Sequence, residues 1–395
     1  MRWLRQTAAV MALNLRTIPS RLSSSGVAIV GIAGVVIVFV SVLSIAAGFS
    51  AAMQGSGSPG RALVMRSGAD SEMTSGIDGP HADIIKQAPG LRRDGPTAMA
   101  SAELYVIIDL PKRSTGTGAN VPMRGIEAAG VRLREEVSLI AGRMLQFGTN
   151  EVIVGRGAQG QFVGTDVGQT ITSGQNSWTV VGLFEADGAV AETEIWVDAR
   201  GLQGAYRRGN TYQSVLAALD SPASFDTFRD WLTSNPQLNV SVRRENEYYA
   251  GQSQNMTRLI RTVGFGIAGL MGIGAIFGAI LTMYTAVATR AREIATLRAL
   301  GFDTSSVLVS VLVESLVLGA IGGVIGGGAA YLGFNGYQTS TMNMQTFSQV
   351  AFAFRVTPEL LVTGLVYALA MGFVGGLLPA VRAARLPIPT ALRQL

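Results

Sequence analysis

Four stretches of the chain stay apolar for long enough to cross a bilayer, and the rest of the organisation follows from where they fall. A spanning helix needs about 20 apolar residues. Residues 22–60 carry no charge, and their most apolar part, 27–47, predicts a first span. Residues 262–289 are again uncharged and predict a second. A third covers 306–334 and contains one acid, Glu314; a fourth covers 360–381 without a charge. The first run follows Arg2 and Arg5 and so has the outline of a signal peptide. It begins too late and runs too long for one, so a retained helix is expected.

Between the first two spans lie roughly 200 residues, enough for one large domain or two small ones. Here the pattern changes to short β-branched and aromatic runs broken by glycine, which reads as strands and turns. Strands are predicted at 62–66, 104–110, 121–126, 151–154, 170–171, 178–184 and 194–197, with helices at 81–87 and 224–233. The fold class is therefore a membrane α-helical chain of four spans, with an α+β domain inserted between spans one and two. The inserted part reads as a βαβ unit interrupted by a smaller β-rich piece. From Glu245 the pattern is helical straight into span two, which predicts a stiff extension beyond the bilayer.

Composition agrees. Mean hydropathy is +0.34 and 14% of residues are charged, against about a quarter in soluble domains. The chain has no cysteine, one histidine (His81) and two lysines (Lys86 and Lys112). Disulfides, thiol chemistry and a Cys/His metal site are excluded. Neither lysine follows a glycine, so no phosphate-gripping loop of the Gly-Lys-[Ser/Thr] kind exists. No catalytic or metal-binding constellation is visible. Asp187, Glu192 and Glu194 read as scattered surface acids, and Asp109 with Lys112 and Arg113 as a charged turn. Met342 and Met344 in the loop after span three read as packing residues.

Charge sets the topology, because basic residues beside spans stay cytoplasmic. Arg2, Arg5, Arg16 and Arg21 precede span one. Arg290, Arg292 and Arg298 separate spans two and three, and Arg382, Arg385 and Arg393 follow span four. Residues 50–257 hold 18 basic and 22 acidic side chains, net −4, and the remainder is net +9. Both termini are expected inside, with the inserted domain exported. The sequence pI of about 9.7 thus reflects topology and not a nucleic-acid partner.

The spans are dense in glycine at one-turn spacing, which lets backbones approach closely in lipid. Gly274 and Gly278, Gly322, Gly323, Gly326 and Gly327, and Gly372 and Gly376 are the expected packing positions. Glu314 is the one ionisable group inside a span, at a cost of about 2.5–3.5 kcal/mol at the bilayer centre. It is expected to play a structural part beside a nearby arginine. Between spans two and three, Ile294, Leu297 and Leu300 recur at helical spacing, Arg298 sits near the helix end where a cation is favoured, and Gly301 is placed to stop it. The reading is a short amphipathic helix that docks on a cytosolic partner. Glu293 beside Arg290 and Arg292 favours specific docking over a loop serving only as positive charge.

These residues carry a resemblance. The run Arg290-Ala-Arg-Glu-Ile-Ala-Thr-Leu-Arg-Ala-Leu-Gly301, then Leu312-Val-Glu-Ser-Leu316, and at the end Gly375-Gly-Leu-Leu-Pro-Ala-Val-Arg-Ala-Ala-Arg385 with Ala391-Leu-Arg393, is similar to the membrane subunit of the FtsX/MacB-type (type VII, mechanotransmission) ABC transporters. The order of one span, a large domain and three spans matches too. Leu43-Ser-Ile-Ala-Ala-Gly-Phe49 further resembles the lipoprotein-releasing branch.

The resemblance implies nine parts. Residues 1–25 form a cytoplasmic amphipathic segment, 26–48 span one, 49–255 the periplasmic domain and 256–289 a stalk with span two. A coupling helix at 290–303, span three at 304–334, an outer loop at 335–357, span four at 358–381 and a tail at 382–395 complete the chain. Arg290, Arg292, Glu293, Ile294, Leu297, Arg298, Leu300 and Gly301 would meet a separate ABC ATP-binding subunit, which would hold the ATP and magnesium. A second copy or a paralogue, and a periplasmic adaptor, are the other implied partners. The implied setting is the inner membrane. The implied activity is efflux or extraction of a substrate driven by motion of the exported domain, with mechanical regulation of an external cell-wall enzyme as the alternative.

Overall fold

The computed structural model describes residues 6–7, 10–12, 22–343 and 345–388. Arg2, Arg5, Arg16, Arg21, Met344, Ala391 and Arg393 lie outside the described residues. The chain divides into two compact units, one of residues 1–47, 259–337 and 354–395, the other of 48–258 and 338–353.

The first unit is built on four long helices. Helix α1 (Leu22–Gln54) is the first of the four. The inserted domain then opens with strand β1 (Arg61–Arg66), β2 (Ile77–Asp78), helix α2 (Gly79–Ile85), the small hairpin of β3 (Arg93–Asp94) and β4 (Thr97–Ala98), and the long β5 (Ala100–Pro111). Strand β6 (Gly118–Ile126), helix α3 (Ala128–Leu133), β7 (Ser138–Gly142), β8 (Glu151–Gly155), helix α4 (Arg156–Gln161), β9 (Thr170–Ser173), β10 (Asn176–Glu185) and β11 (Ile195–Asp198) follow. Helix α5 (Ala199–Ala205), β12 (Thr211–Tyr212), β13 (Ser214–Ala218), helix α6 (Phe225–Ser234) and β14 (Val240–Arg244) complete it. Helix α7 (Glu245–Thr289), the short α8 (Ala291–Ala299) and α9 (Thr304–Phe334) come next. Strands β15 (Gln338–Met342) and β16 (Gln349–Ala353) precede α10 (Pro358–Ala384). Helices α1, α7, α9 and α10 are each long and apolar enough to cross a membrane.

Glycine sets how these helices meet. A Cβ at Gly326 would lie 2.6 Å from the Ala33 carbonyl oxygen of α1, and one at Gly319 2.8 Å from that of Ala368 in α10. Gly372 is equally close to the Ser315 carbonyl, at 2.7 Å. Gly322 faces Ile29 and Ile32, Gly323 faces Leu365 and Ala368, Gly327 faces Leu361, and Gly376 faces Ser315. Only a hydrogen atom fits at the closest of these points, so α9 lies against α1 on one side and α10 on the other. Gly274 and Gly278 differ: among the described residues nothing comes within 4 Å of a Cβ placed at either. Both lie on α7, the span with the smallest buried share of the four. Tyr367 of α10 ties α7 in by donating its hydroxyl to the Ala268 carbonyl at 2.6 Å.

In the second unit, β14, β1, β13 and the first part of β5 form an antiparallel sheet in that order. With α2 and α6 as its crossovers, this is a β-α-β-β-α-β arrangement. Its core is Val64, Ile85, Ala102, Val215, Phe228 and Leu232. The smaller β-rich piece is inserted between β5 and β13. Beyond Glu103, β5 leaves β13 and pairs with β6, from Leu104↔Gly125 to Pro111↔Gly118. The sheet continues through β11, β8 and β10 to β7, over a second core that includes Leu104, Met123, Val154 and Trp178. One long strand thus belongs to both parts.

Within the segment 335–357, residues 338–353 form a β-hairpin that belongs to the second unit. Strands β15 and β16 pair from Gln338↔Ala353 to Met342↔Gln349. Alternating Val350 and Phe352 are buried, which gives the hairpin an apolar face to cover. Its tip bonds to the inserted domain: Asn120 Nδ2 donates to the Phe347 carbonyl at 2.8 Å, and Asn343 Nδ2 donates to Gln252 Oε1 at 2.9 Å.

Candidate coupling site and the buried charge cluster

Helix α8 is short, and its placement rests on one ion pair. Arg290 turns the chain out of α7 and stands at the N-terminal boundary of α8. Its guanidinium donates to both carboxylate oxygens of Glu314, at 3.0 and 2.9 Å. Both side chains are about 95% buried. Alone, either charge would be costly inside α9; paired in this two-bond geometry each satisfies the other. Ala291, Ile294 and Ala295 turn inward, and Ala291 and Ala295 meet Leu386 after α10. Arg298 donates to the Leu386 carbonyl.

The helix ends on a glycine motif. The Phe302 amide donates to the Leu297 carbonyl and the Gly301 amide to that of Arg298, with Gly301 at φ +89°. That pair of bonds with a left-handed glycine is a Schellman cap. The outward face carries Arg292, Glu293 and Thr296, with Leu300 73% exposed and Leu297 and Arg298 half-buried. Of the sequence-predicted residues, Arg290, Ile294 and Arg298 therefore hold the helix in place. Arg292, Glu293, Leu297 and Leu300 are open to a partner.

The inserted domain holds a cluster that the sequence reading did not single out. Arg124, 2% exposed, donates to three carboxylates: Glu194 at 2.8 Å, Glu72 at 2.8 Å and Glu103 at 2.9 Å. Arg134 grips Glu103 from the other side with two bonds of 2.8 Å. The remaining lone pairs are also used. Ser214 donates to Glu72 at 2.7 Å, and the Trp196 indole donates to Glu194 at 2.8 Å. Nearby, Arg61 pairs with Glu136 at 2.6 Å and with Glu245, the first residue of α7. Tyr248 of α7 accepts from the Glu72 amide at 3.1 Å.

Burial pushes the Glu103 carboxyl up, but Arg134 and Arg124 outweigh it and hold the group below the usual carboxylate range. Glu136 is likewise held low, with Arg61 overcoming burial. Glu194 is buried in the core against Arg124, while Glu192 accepts from the amides of Ala186 and Gly188 at 2.8 Å. The two do not form an acid–base pair. A signal was present in the sequence: Glu103 and Arg124 each interrupt an apolar strand run at an inward-facing position. Among the described residues, no group of three or more His, Asp or Glu side chains is placed to hold a metal.

Two family models cover most of the chain. The MacB-like periplasmic core domain matches residues 25–235, and the FtsX-like permease C-terminal model matches 265–388. The chain belongs to the FtsX/MacB-type permease family. It is therefore a multi-pass membrane protein of the permease kind found in ABC transporters. Among solved structures, it is similar to the extracellular domain of the noncanonic ABC-type transporter YknZ from Gram-positive bacteria. That match has 14% identity and a TM-score of 0.35, covering 46% of this chain and 99% of the other. It is also similar to the periplasmic region of MacB from Actinobacillus actinomycetemcomitans, with 10% identity and a TM-score of 0.38, covering 51% and 96%. No curated protein matches the chain.

Proposed function

We propose that this permease couples ATP hydrolysis in a separate ATP-binding subunit to motion of its inserted domain, and so drives efflux or extraction of a substrate at the outer face of the inner membrane. The observation that carries the reading is α8: a short helix pinned by Arg290 to Glu314 and sharply capped at Gly301, with a charged and apolar outer face. A rigid, exposed helix between two spans is what a cytosolic motor needs to push on. Arginines flanking the spans favour both termini and α8 on the cytoplasmic side. The chain has no phosphate-binding loop of its own, so ATP and magnesium would reside in the partner. A closed pair of ATPases would act on two permeases, a second copy or a paralogue, and an adaptor would extend the path.

The test is purification of the tagged chain from its native membrane in mild detergent, with cross-linking from α8. Co-purification of an ATP-binding subunit supports the reading. Its absence, even after cross-linking from Arg292 or Leu300, rejects it.

A further inference from the structure

Residues 262–289 of α7 carry no charge. At about 1.5 Å per residue they cover about 42 Å, close to the thickness of a bilayer with its headgroups, about 40–45 Å. Arg261, the residue before them, therefore stands at headgroup level, at the end of the span remote from α8. Arg258 lies about 4.5 Å farther out along the same axis. Another arginine comes to this level from a different part of the chain. Gly264, one turn from Arg261, packs on Val42 of α1, where a Cβ would meet the valine side chain at 2.7 Å. Two residues on, the Ser44 carbonyl accepts from the Arg355 amide at 3.2 Å. One turn of α1 thus holds the backbone beside both arginines. Both side chains are exposed, and among the described residues neither forms an ion pair. Glu359, in the first turn of α10, is the nearest acid in sequence to Arg355 and is unpaired as well. Tyr331 and Tyr337, 46% and 61% exposed, lie at the same end of α9. The Tyr337 ring meets that of Phe354, next to Arg355, at 5.7 Å. Exposed tyrosines at a span end mark the layer between hydrocarbon and water. In the orientation proposed above this is the outer side, where topology alone calls for few arginines.

We infer that Arg261 and Arg355 together hold the headgroup phosphate of an anionic phospholipid in the outer leaflet. A guanidinium makes paired, charge-assisted bonds to phosphate oxygens, and its long stem lies along apolar surface while the charged head stays in the polar layer. At this depth the phosphates are those of lipid. An anionic headgroup is favoured over a zwitterionic one because Arg258, Arg261 and Arg355 outnumber the one acid at this rim, Glu359. A lipid held here ties α7 to the segment entering α10, across the end of α1. The binding does not depend on the ATPase reading; the choice of leaflet rests on the orientation proposed above.

The test uses the absence of native cysteine. Thr262→Cys, at an exposed position, takes a single fluorescent bimane label beside Arg261. The labelled full-length chain is reconstituted in phosphatidylcholine vesicles. These carry a small, equal fraction of either phosphatidylglycerol or phosphatidylcholine spin-labelled at the top of one acyl chain. The phosphatidylglycerol should quench about fivefold more strongly, the local enrichment that a single basic side chain gives at a membrane surface. Arg261→Gln with Arg355→Gln should bring the two lipids to within about twofold of one another. Equal quenching beside the unsubstituted arginines overturns the inference, as side chains that only face water would give. A preference that survives the double substitution overturns it too. The same substitutions should leave quenching of a label at Thr289→Cys, exposed at the other end of the span, unchanged; a parallel loss there would mean a general change in charge or fold and would also overturn the site. Orientation is read separately. Asn255→Cys, exposed beyond Arg258, should react with a membrane-impermeant thiol reagent in spheroplasts. No reaction would overturn the outer-leaflet assignment, and the proposed orientation with it, whatever the quenching shows.

Discussion

Arg290 and Glu314 lie 24 residues apart in the chain and face each other through two hydrogen bonds of 3.0 and 2.9 Å. One belongs to the turn before α8, the other to the body of α9. The pair is thus both the answer to a charge inside a span and the clamp on the helix beside it. Removing one partner leaves the other buried and uncompensated. Glu314→Gln should lower stability by about 3–5 kcal/mol, whereas replacing both residues by apolar ones of similar size should restore most of it. Thermal unfolding of the three proteins in one detergent measures this.

The outer face of α8 should behave differently. Leu297→Ala and Glu293→Arg change half-buried and exposed positions, so stability should shift by less than about 1 kcal/mol. Coupling to the ATPase should fall at least tenfold, read as substrate-stimulated hydrolysis in the reconstituted complex, about 1.4 kcal/mol of lost contact. Unchanged coupling in both variants would reject this face as the contact. Gly301→Ala tests the cap. It forces a side chain into φ +89° and should cost about 1 kcal/mol.

Glycine positions divide by contact. Gly326→Val and Gly372→Val meet a backbone carbonyl 2.6 and 2.7 Å from the new Cβ. Each should cost about 1–3 kcal/mol by overpacking. Gly274→Ala and Gly278→Ala meet nothing within 4 Å and should leave the fold intact. If those two abolish a dimer in cross-linking while preserving the thermal transition, the open face of α7 belongs to a second copy.

Most of the architecture was legible because bilayer length and strand alternation are strong, local signals. The four spans, the strands at β1, β5, β6, β8 and β10, and the end of α8 at Gly301 all follow from residue order. Two features were not legible. The hairpin at β15 and β16 is short, and its partners Asn120 and Gln252 are far away in sequence, so nothing local marks where it docks. The charge cluster needed five separated acids, Glu72, Glu103, Glu136, Glu194 and Glu245, to be brought to three arginines. Glu103 and Arg124 stand out as charges within apolar strand runs, but which of the other charges they meet shows only once the strands are paired. At α8 the sequence marked the right stretch but not the division of labour within it. That division depends on which side of a short helix meets α9.

The charge cluster makes the inserted domain acid-sensitive. Glu103 and Glu136 are held below the usual carboxylate range by their arginines. Their folded values are depressed, so the stability they add is present above the unfolded glutamate value of about 4.3 and is lost as pH falls through the folded values. The domain should be indifferent to pH from neutral to about 5 and weaken below about 4. Trp196, whose indole donates to Glu194, is the natural fluorescent reporter. Arg134→Met should move the acid transition to higher pH, and an unmoved midpoint would show that Arg134 does not govern Glu103.

The hairpin offers a covalent check. A Cβ at Gly157 would stand 3.0 Å from the Ala351 Cβ, about half an ångström inside the shortest separation, about 3.5 Å, that a disulfide takes, so a small outward shift of the hairpin brings the pair into range. The chain has no other cysteine. Gly157→Cys with Ala351→Cys should therefore cross-link on mild oxidation and shift the mobility of the protein on a non-reducing gel, with neither single variant doing so.

That hairpin also orders events during synthesis. The body of the inserted domain leaves the ribosome well before residues 338–353 exist, and α7, α8 and α9 must be made in between. Until then the domain lacks the hairpin whose tip bonds to Asn120 and Gln252, and the groups meant to receive it stand open. The domain reaches its final composition only after the third span has been made. A chain stalled or truncated before that point would carry an unfinished surface, which a quality-control protease can read as a sign that membrane insertion is incomplete.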